Sequence, residues 1–161
     1  MIRRVWAPVG ERPTALGHHR FDWLYVTAFV APASGETFWY LANGVSKPLF
    51  AALLALFAKE AGAGKDRIIL LLIDNAGWHT SEGLSVPEGI EIIYLPPYTP
   101  ELQPAETLWV HVDEPIVNTY LQTIEELDRV IAQQCRKLSA DQDLIKSQTC
   151  FKLWPQKPAP N

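Results

Sequence analysis

The chain has 161 residues, 48% hydrophobic and 20% charged, a balance that suits one globular domain and excludes a disordered segment. No apolar run reaches the roughly 18 residues a membrane helix needs, because Leu49 to Ala58 ends at Lys59 and Ile68 to Ile73 ends at Asp74. With 18 acidic against 14 basic residues the formal charge is −4, which excludes a domain that grips DNA through bulk positive charge.

Two arginines near the start, within Met1 to Arg4, lead into Val5, Trp6, Ala7 and Pro8 rather than into a long apolar stretch. No secretory signal is read there, and the cytoplasm is the expected compartment. Further along, DWLYVTAFVA (Asp22 to Ala31) and ETFWYLA (Glu36 to Ala42) are rich in aromatic and β-branched residues and flank the turn-forming Pro32 to Gly35, which predicts a β-hairpin. Ser46 then caps a predicted helix with Pro48 in its first turn and a broad apolar face of Leu49, Phe50, Leu53, Leu54, Leu56 and Phe57. Gly62 and Gly64 stop it.

Arg67 to Ile73 is a continuous apolar run without alternation, which predicts a strand buried on both faces in mid-sheet, with Asp74 at its C-terminal end. After a polar stretch with a brief helix expected around Ser81 to Leu84, Ile90 to Leu95 forms another short strand; strand, crossover and strand imply parallel pairing. Pro96, Pro97 and Pro100 make a stiff loop, and Pro104 opens a helix running through Trp109 and Val112 to about Pro115. In the last predicted helix Thr123 and Glu126 form a capping box, and Ile124, Leu127, Ile131, Cys135 and Leu138 share one face. Beyond Ala140 the pattern fades into a tail containing Pro155, Pro158 and Pro160. Cys135 and Cys150 lack metal-type spacing and read as free thiols.

Two acids stand out by position. Asp74 ends a buried strand, and in open α/β sheets ligands collect beyond the carboxyl ends of strands; Glu106 lies in the first turn of a helix behind the proline loop. Each also has a structural reading, Asp74 as a turn or helix cap and Glu106 as a carboxylate favoured by the positive end of a helix.

The words around them are more specific. LLLIDNAGWH (Leu70 to His79) and YLPPYTPELQPAETLW (Tyr94 to Trp109) resemble two motif blocks of mariner-superfamily insertion-sequence transposases, with Thr99, Gln103 and Ala105 departing mildly from the usual serine, asparagine and isoleucine. Upstream, VWAPVGERP (Val5 to Pro13) resembles the family's tryptophan-proline-glycine segment, so the likeness runs in order from about Val5 to Leu138. It implies an α/β fold, a ribonuclease-H-like mixed sheet flanked by helices, over residues 1–140, with 141–161 as a C-terminal tail. It also implies a DDE endonuclease in which carboxylates hold two Mg2+ or Mn2+ ions for cutting and joining DNA. Asp74 and Glu106 match the second and third of those metal-binding carboxylates and, with His79, make up the candidate catalytic set. His79 orients a water, an ion or the phosphate, or else caps the following turn. DNA, as transposon ends and target, is the implied partner, together with further copies of the chain or intact transposase subunits, and no membrane.

Relatives carry the first carboxylate on a first strand upstream of the tryptophan-proline-glycine segment, and here that segment begins almost at Met1. The expected sheet therefore lacks its central strand, and this chain by itself is expected not to cleave DNA, since two carboxylates cannot easily hold both ions. Asp22 opens the second strand and reads as a solvated strand-end residue rather than a substitute. The readings that remain are the catalytic portion of a transposase, a noncatalytic remnant or interaction module that associates with intact transposase, and a host nuclease of the same fold. Asn75 is expected to shape the turn that supports Asp74, and Trp109 to pack in the core. His18 and His19 read as surface residues, and the scattered Lys47, Lys59, Lys65 and Arg67 as solvated charge rather than a DNA track.

Overall fold

A computed structural model describes residues 8–10, 22–77, 79 and 83–150. Most of the Val5 to Pro13 segment, His18, His19, the core of the brief helix expected around Ser81, and the tail beyond Cys150 lie outside the described residues.

The two segments rich in aromatic and β-branched residues form the predicted hairpin. Strand β1 (Tyr25–Ala31) runs antiparallel to β2 (Glu36–Ala42), with Tyr25 opposite Ala42 and Ala31 opposite Glu36. Alternation along the strands divides their side chains between two layers: Phe29, Phe38 and Tyr40 pack on one side, Val26, Val30, Trp39 and Leu41 on the other.

The first of those layers is helix α1 (Lys47–Glu60), capped as expected by Ser46, whose Oγ accepts from the Leu49 amide at 3.3 Å. Phe50, Leu54, Phe57 and Ala58 are buried, and the Phe57 ring stacks on Phe29 at 4.1 Å between centroids. The apolar face is narrower than predicted. Leu56 sits about 200° around the helix from Leu54 and is 42% exposed, because two residues at 100° each carry it to the far side.

Strand β3 (Ile69–Ile73) pairs in parallel with β4 (Ile90–Tyr94), Ile69 opposite Ile90 and Ile73 opposite Tyr94. Gly89 enters β4 with φ +84° and lies so close to the Gly64 backbone that a Cβ would collide with it, so only glycine fits. Ile69, Leu71, Ile73, Ile90 and Ile92 pack on the α1 side and join Phe29 and Leu54 in one core. The predicted burial of this run on both faces is not what the structure has. Leu70 is 58% exposed and Ile93 45% exposed, because the second helical layer covers the hairpin and its cluster takes nothing from β3 or β4. The four strands thus form two ladders, β1–β2 and β3–β4, and no ladder joins them among the described residues.

The second layer follows the proline loop. Pro100–Leu102 and Pro104–Leu108 are 3-10 turns, after which come α2 (Trp109–Asp113), a further 3-10 turn at Glu114–Ile116, and α3 (Ile124–Ala140). The helix expected to start at Pro104 therefore opens as a tighter 3-10 coil. At the head of α3 the Glu126 amide donates to Thr123 Oγ1 at 3.1 Å, while the Glu126 carboxylate reaches past Thr123 to the Gln122 amide at 2.8 Å. Leu108, Val112, Ile131, Cys135 and Leu138 close the core of this layer, and Trp109 packs edge-on against Trp39 at 6.4 Å. Burial pushes the Cys135 thiol up to about 11, and neither Cys135 nor Cys150 forms a disulfide. No helix among the described residues is long and apolar enough to cross a membrane.

The expectation of a tail from residue 141 is corrected by α4 (Gln142–Thr149). Asp141 caps it, accepting from the Leu144 amide at 3.0 Å, and Ile145 and Thr149 are fully buried. An eight-residue helix is too short to carry a periodic signal, and its place depends on packing against the Pro104–Leu108 coil, α3 and the hairpin turn. There Gly35, at φ +76°, abuts the backbone of Gln142, where a Cβ would overlap the Gln142 carbonyl. Gly35→Ala is expected to lower the unfolding free energy by at least about 1–2 kcal/mol, the usual cost of the left-handed conformation alone. Urea titration measures this, and a loss confined to that range would mean that α4 does not press on the turn.

Candidate functional site

Asp74 follows directly on β3, at the C-terminal end of the β3–β4 pair. Its Oδ1 accepts twice, from the Ala76 amide at 3.1 Å and from His79 Nδ1 at 2.6 Å. An ionised carboxylate only accepts, so Nδ1 is the protonated nitrogen of the imidazole. The His79 ring leans on buried Phe50 of α1, 4.3 Å between centroids, and the Tyr94 hydroxyl donates to the His79 carbonyl at 2.7 Å. Asp74 is thus held from α1, from β4 and from its own loop.

The ends of the two parallel strands are braced as well. The Leu95 amide continues the ladder to the Ile73 carbonyl at 2.8 Å, and Asn75 Nδ2 donates to the Leu95 carbonyl at 2.7 Å. Asn75 therefore ties its loop to the end of β4. The proline loop starts at that point, and Thr99 Oγ1 tightens it by donating to the Pro96 carbonyl at 2.7 Å.

Glu106 is exposed in the first turn of the 3-10 coil Pro104–Leu108, whose Pro104, Ala105 and Leu108 are buried. It lines, with Asp74, Asn75, Pro97, Tyr98 and Gln103, a single open cavity of about 370 Å³. Two acids distant in sequence are therefore brought to one cleft. His79 stands behind Asp74 and is not among the cavity's lining residues. Asp22 is exposed ahead of β1 and does not line it either. Among the described residues no three His, Cys, Asp or Glu side chains come together as a ready-made metal cage. Two exposed carboxylates on a wet cleft still suit a hard, hydrated ion, since Mg2+ keeps several waters and takes one or two carboxylates.

Phe50 and Tyr94 were not singled out in the sequence. Phe50 looks like any core residue of an amphipathic helix, and Tyr94 like any strand aromatic. The one available signal was a hydroxyl at the strand end nearest Asp74.

Comparison with known proteins gives the family. Residues 1–128 match the family model described as DDE superfamily endonuclease, and the chain belongs to that family. It is also 31% identical over 87 residues to the uncharacterized protein y4pE/y4sA of Sinorhizobium fredii (strain NBRC 101917 / NGR234), a match covering 54% of this chain and 63% of that protein. No solved structure matches. The DDE endonucleases generally use divalent metal ions.

Proposed function

We propose that the chain is the catalytic portion of a mariner-type insertion-sequence transposase, which cuts and joins DNA strands with Mg2+ or Mn2+ held by Asp74 and Glu106. The observation that carries this reading is the shared cavity: the aspartate after β3 and the glutamate behind the proline loop line the same cleft. Membership in the DDE endonucleases supports it.

Divalent ions held by Asp74 and Glu106 would supply the charge that sharpens an attacking oxygen and stabilises a leaving one. The residues of this chain contribute position. With the Ala76 amide and the imidazole both on Asp74 Oδ1, Oδ2 is the oxygen offered to a cation. The imidazole fixes the carboxylate's rotation, as outer-sphere partners of metal ligands do. Gln103 adds a neutral donor and acceptor on the same wall.

The remaining carboxylate of the triad comes, on this reading, from a strand that pairs between β1 and β3. Those two strands have one ladder partner each among the described residues. A second reading, an interaction module that docks on intact transposase without cutting, is favoured by the absence of a three-ligand cluster among the described residues.

Titration with Mn2+, read by electron paramagnetic resonance, tests the first reading. The chain is expected to bind Mn2+ saturably, and His79→Asn to weaken that binding about 10- to 100-fold, the usual cost of losing an outer-sphere partner. No saturable binding by the wild-type chain would favour the interaction module.

A further inference from the structure

The proline loop holds a residue that neither the ion site nor the core explains. Tyr98 has φ +60°, a left-handed conformation that costs any residue with a side chain, and its side chain is fully exposed. Its backbone is not free to relax: Pro96, Pro97 and Pro100 restrict their own torsions and those of the residues before them, and the Thr99 hydroxyl closes the loop onto the Pro96 carbonyl at 2.7 Å. The loop thus fixes a bare aromatic ring at the rim of the cavity that Asp74 and Glu106 line.

We propose that Tyr98 is a stacking platform for an unpaired nucleobase of the DNA strand whose phosphate enters this cavity. The inference rests on the reading of the cavity as a nucleic-acid cleavage site. Three observations point to a base rather than to the phosphate backbone. The ring is flat, apolar on its face and unburied, the form every base can stack on whatever its sequence. The chain carries a formal charge of −4, so non-ionic contacts must supply much of its hold on DNA. The ring also borders carboxylates that repel phosphate unless a cation lies between them, which leaves the base as the part of the nucleotide free to approach the rim.

The test uses the whole chain and a fluorescein-labelled duplex carrying a three-nucleotide 3′ overhang, beside the same duplex with blunt ends, with binding read by anisotropy in Ca2+. Tyr98→Ala is expected to weaken binding of the overhang duplex about 5- to 150-fold, the size of one lost base–aromatic stack, and to leave blunt-duplex binding unchanged. Tyr98→Phe should bind like wild type, since the ring and not the hydroxyl is used. Tyr98→Gly separates binding from folding, because releasing the left-handed strain should raise the melting temperature while overhang binding falls. Equal affinity of wild type and Tyr98→Ala for the overhang, or equal losses on both duplexes, overturns the proposal. A wild-type chain that binds Mn2+ but shows no preference for the overhang overturns the stacking role alone. One that binds neither Mn2+ nor DNA overturns the reading of the cavity with it.

Discussion

Asp74→Asn is expected to abolish saturable Mn2+ binding, and Glu106→Gln to weaken it on the order of 100-fold or more, since even outer-sphere partners are worth about 10- to 100-fold and these acids would touch the ion directly. Both substitutions preserve shape and remove charge. Both residues are exposed, so the fold has little stake in them, and the melting temperature of either variant should stay near that of wild type. The asymmetry between them has a physical origin. Asp74 is pinned by the Ala76 amide and by His79, so its charge is already aimed, whereas Glu106 stands on a 3-10 turn and can be partly replaced by water. In an assembly that supplies the first carboxylate, each variant should also lose Mg2+-dependent nicking of an end-containing duplex. Nicking that survives Asp74→Asn would show that the cavity is not where the strand is cut.

The largest effect on stability is expected at Leu54, whose side chain is fully buried in α1. Leu54→Ala should cost about 2–5 kcal/mol, the range for emptying a leucine site in a packed core. Against a typical total of about 5–15 kcal/mol that is a large fraction. The site is unusually consequential because the core around Leu54 takes Phe29 from the hairpin and Ile73 and Ile90 from the parallel pair. With no ladder between the two sheets among the described residues, this helix carries much of their connection. Urea unfolding followed by tryptophan fluorescence measures the loss, and the transition should broaden as well as shift. A change below about 1 kcal/mol, as at ordinary surface positions, would mean that the two ladders are held together by something other than α1.

Local chemistry made much of this fold readable from sequence. The hairpin follows from two β-prone runs around a turn, the start of α1 from Ser46 and Pro48, and the parallel pairing of β3 and β4 from the crossover between them. What the sequence left out is what only neighbours decide. Leu70 and Ile93 belong to runs that read as buried, and their exposure depends on how far the second helical layer extends. α4 depends on a seat against the hairpin turn, which periodicity over eight residues could not reveal. For the candidate site, two motif blocks drew attention to Asp74, His79 and Glu106. Their surroundings were out of reach, because Phe50 and Tyr94 come to His79 from other elements, and a linear pattern carries no trace of such a meeting.

The contact between Phe50 and His79 has an evolutionary consequence. One phenyl ring serves both as ballast of the interior and as backrest for the imidazole beside the acid. A mutation that merely loosens the packing around α1 would let that imidazole tilt, and the acid would drift with it. Substitutions in the greasy centre around Phe50 are therefore expected to reach the acid, and compensating change is expected at Asn75 and His79.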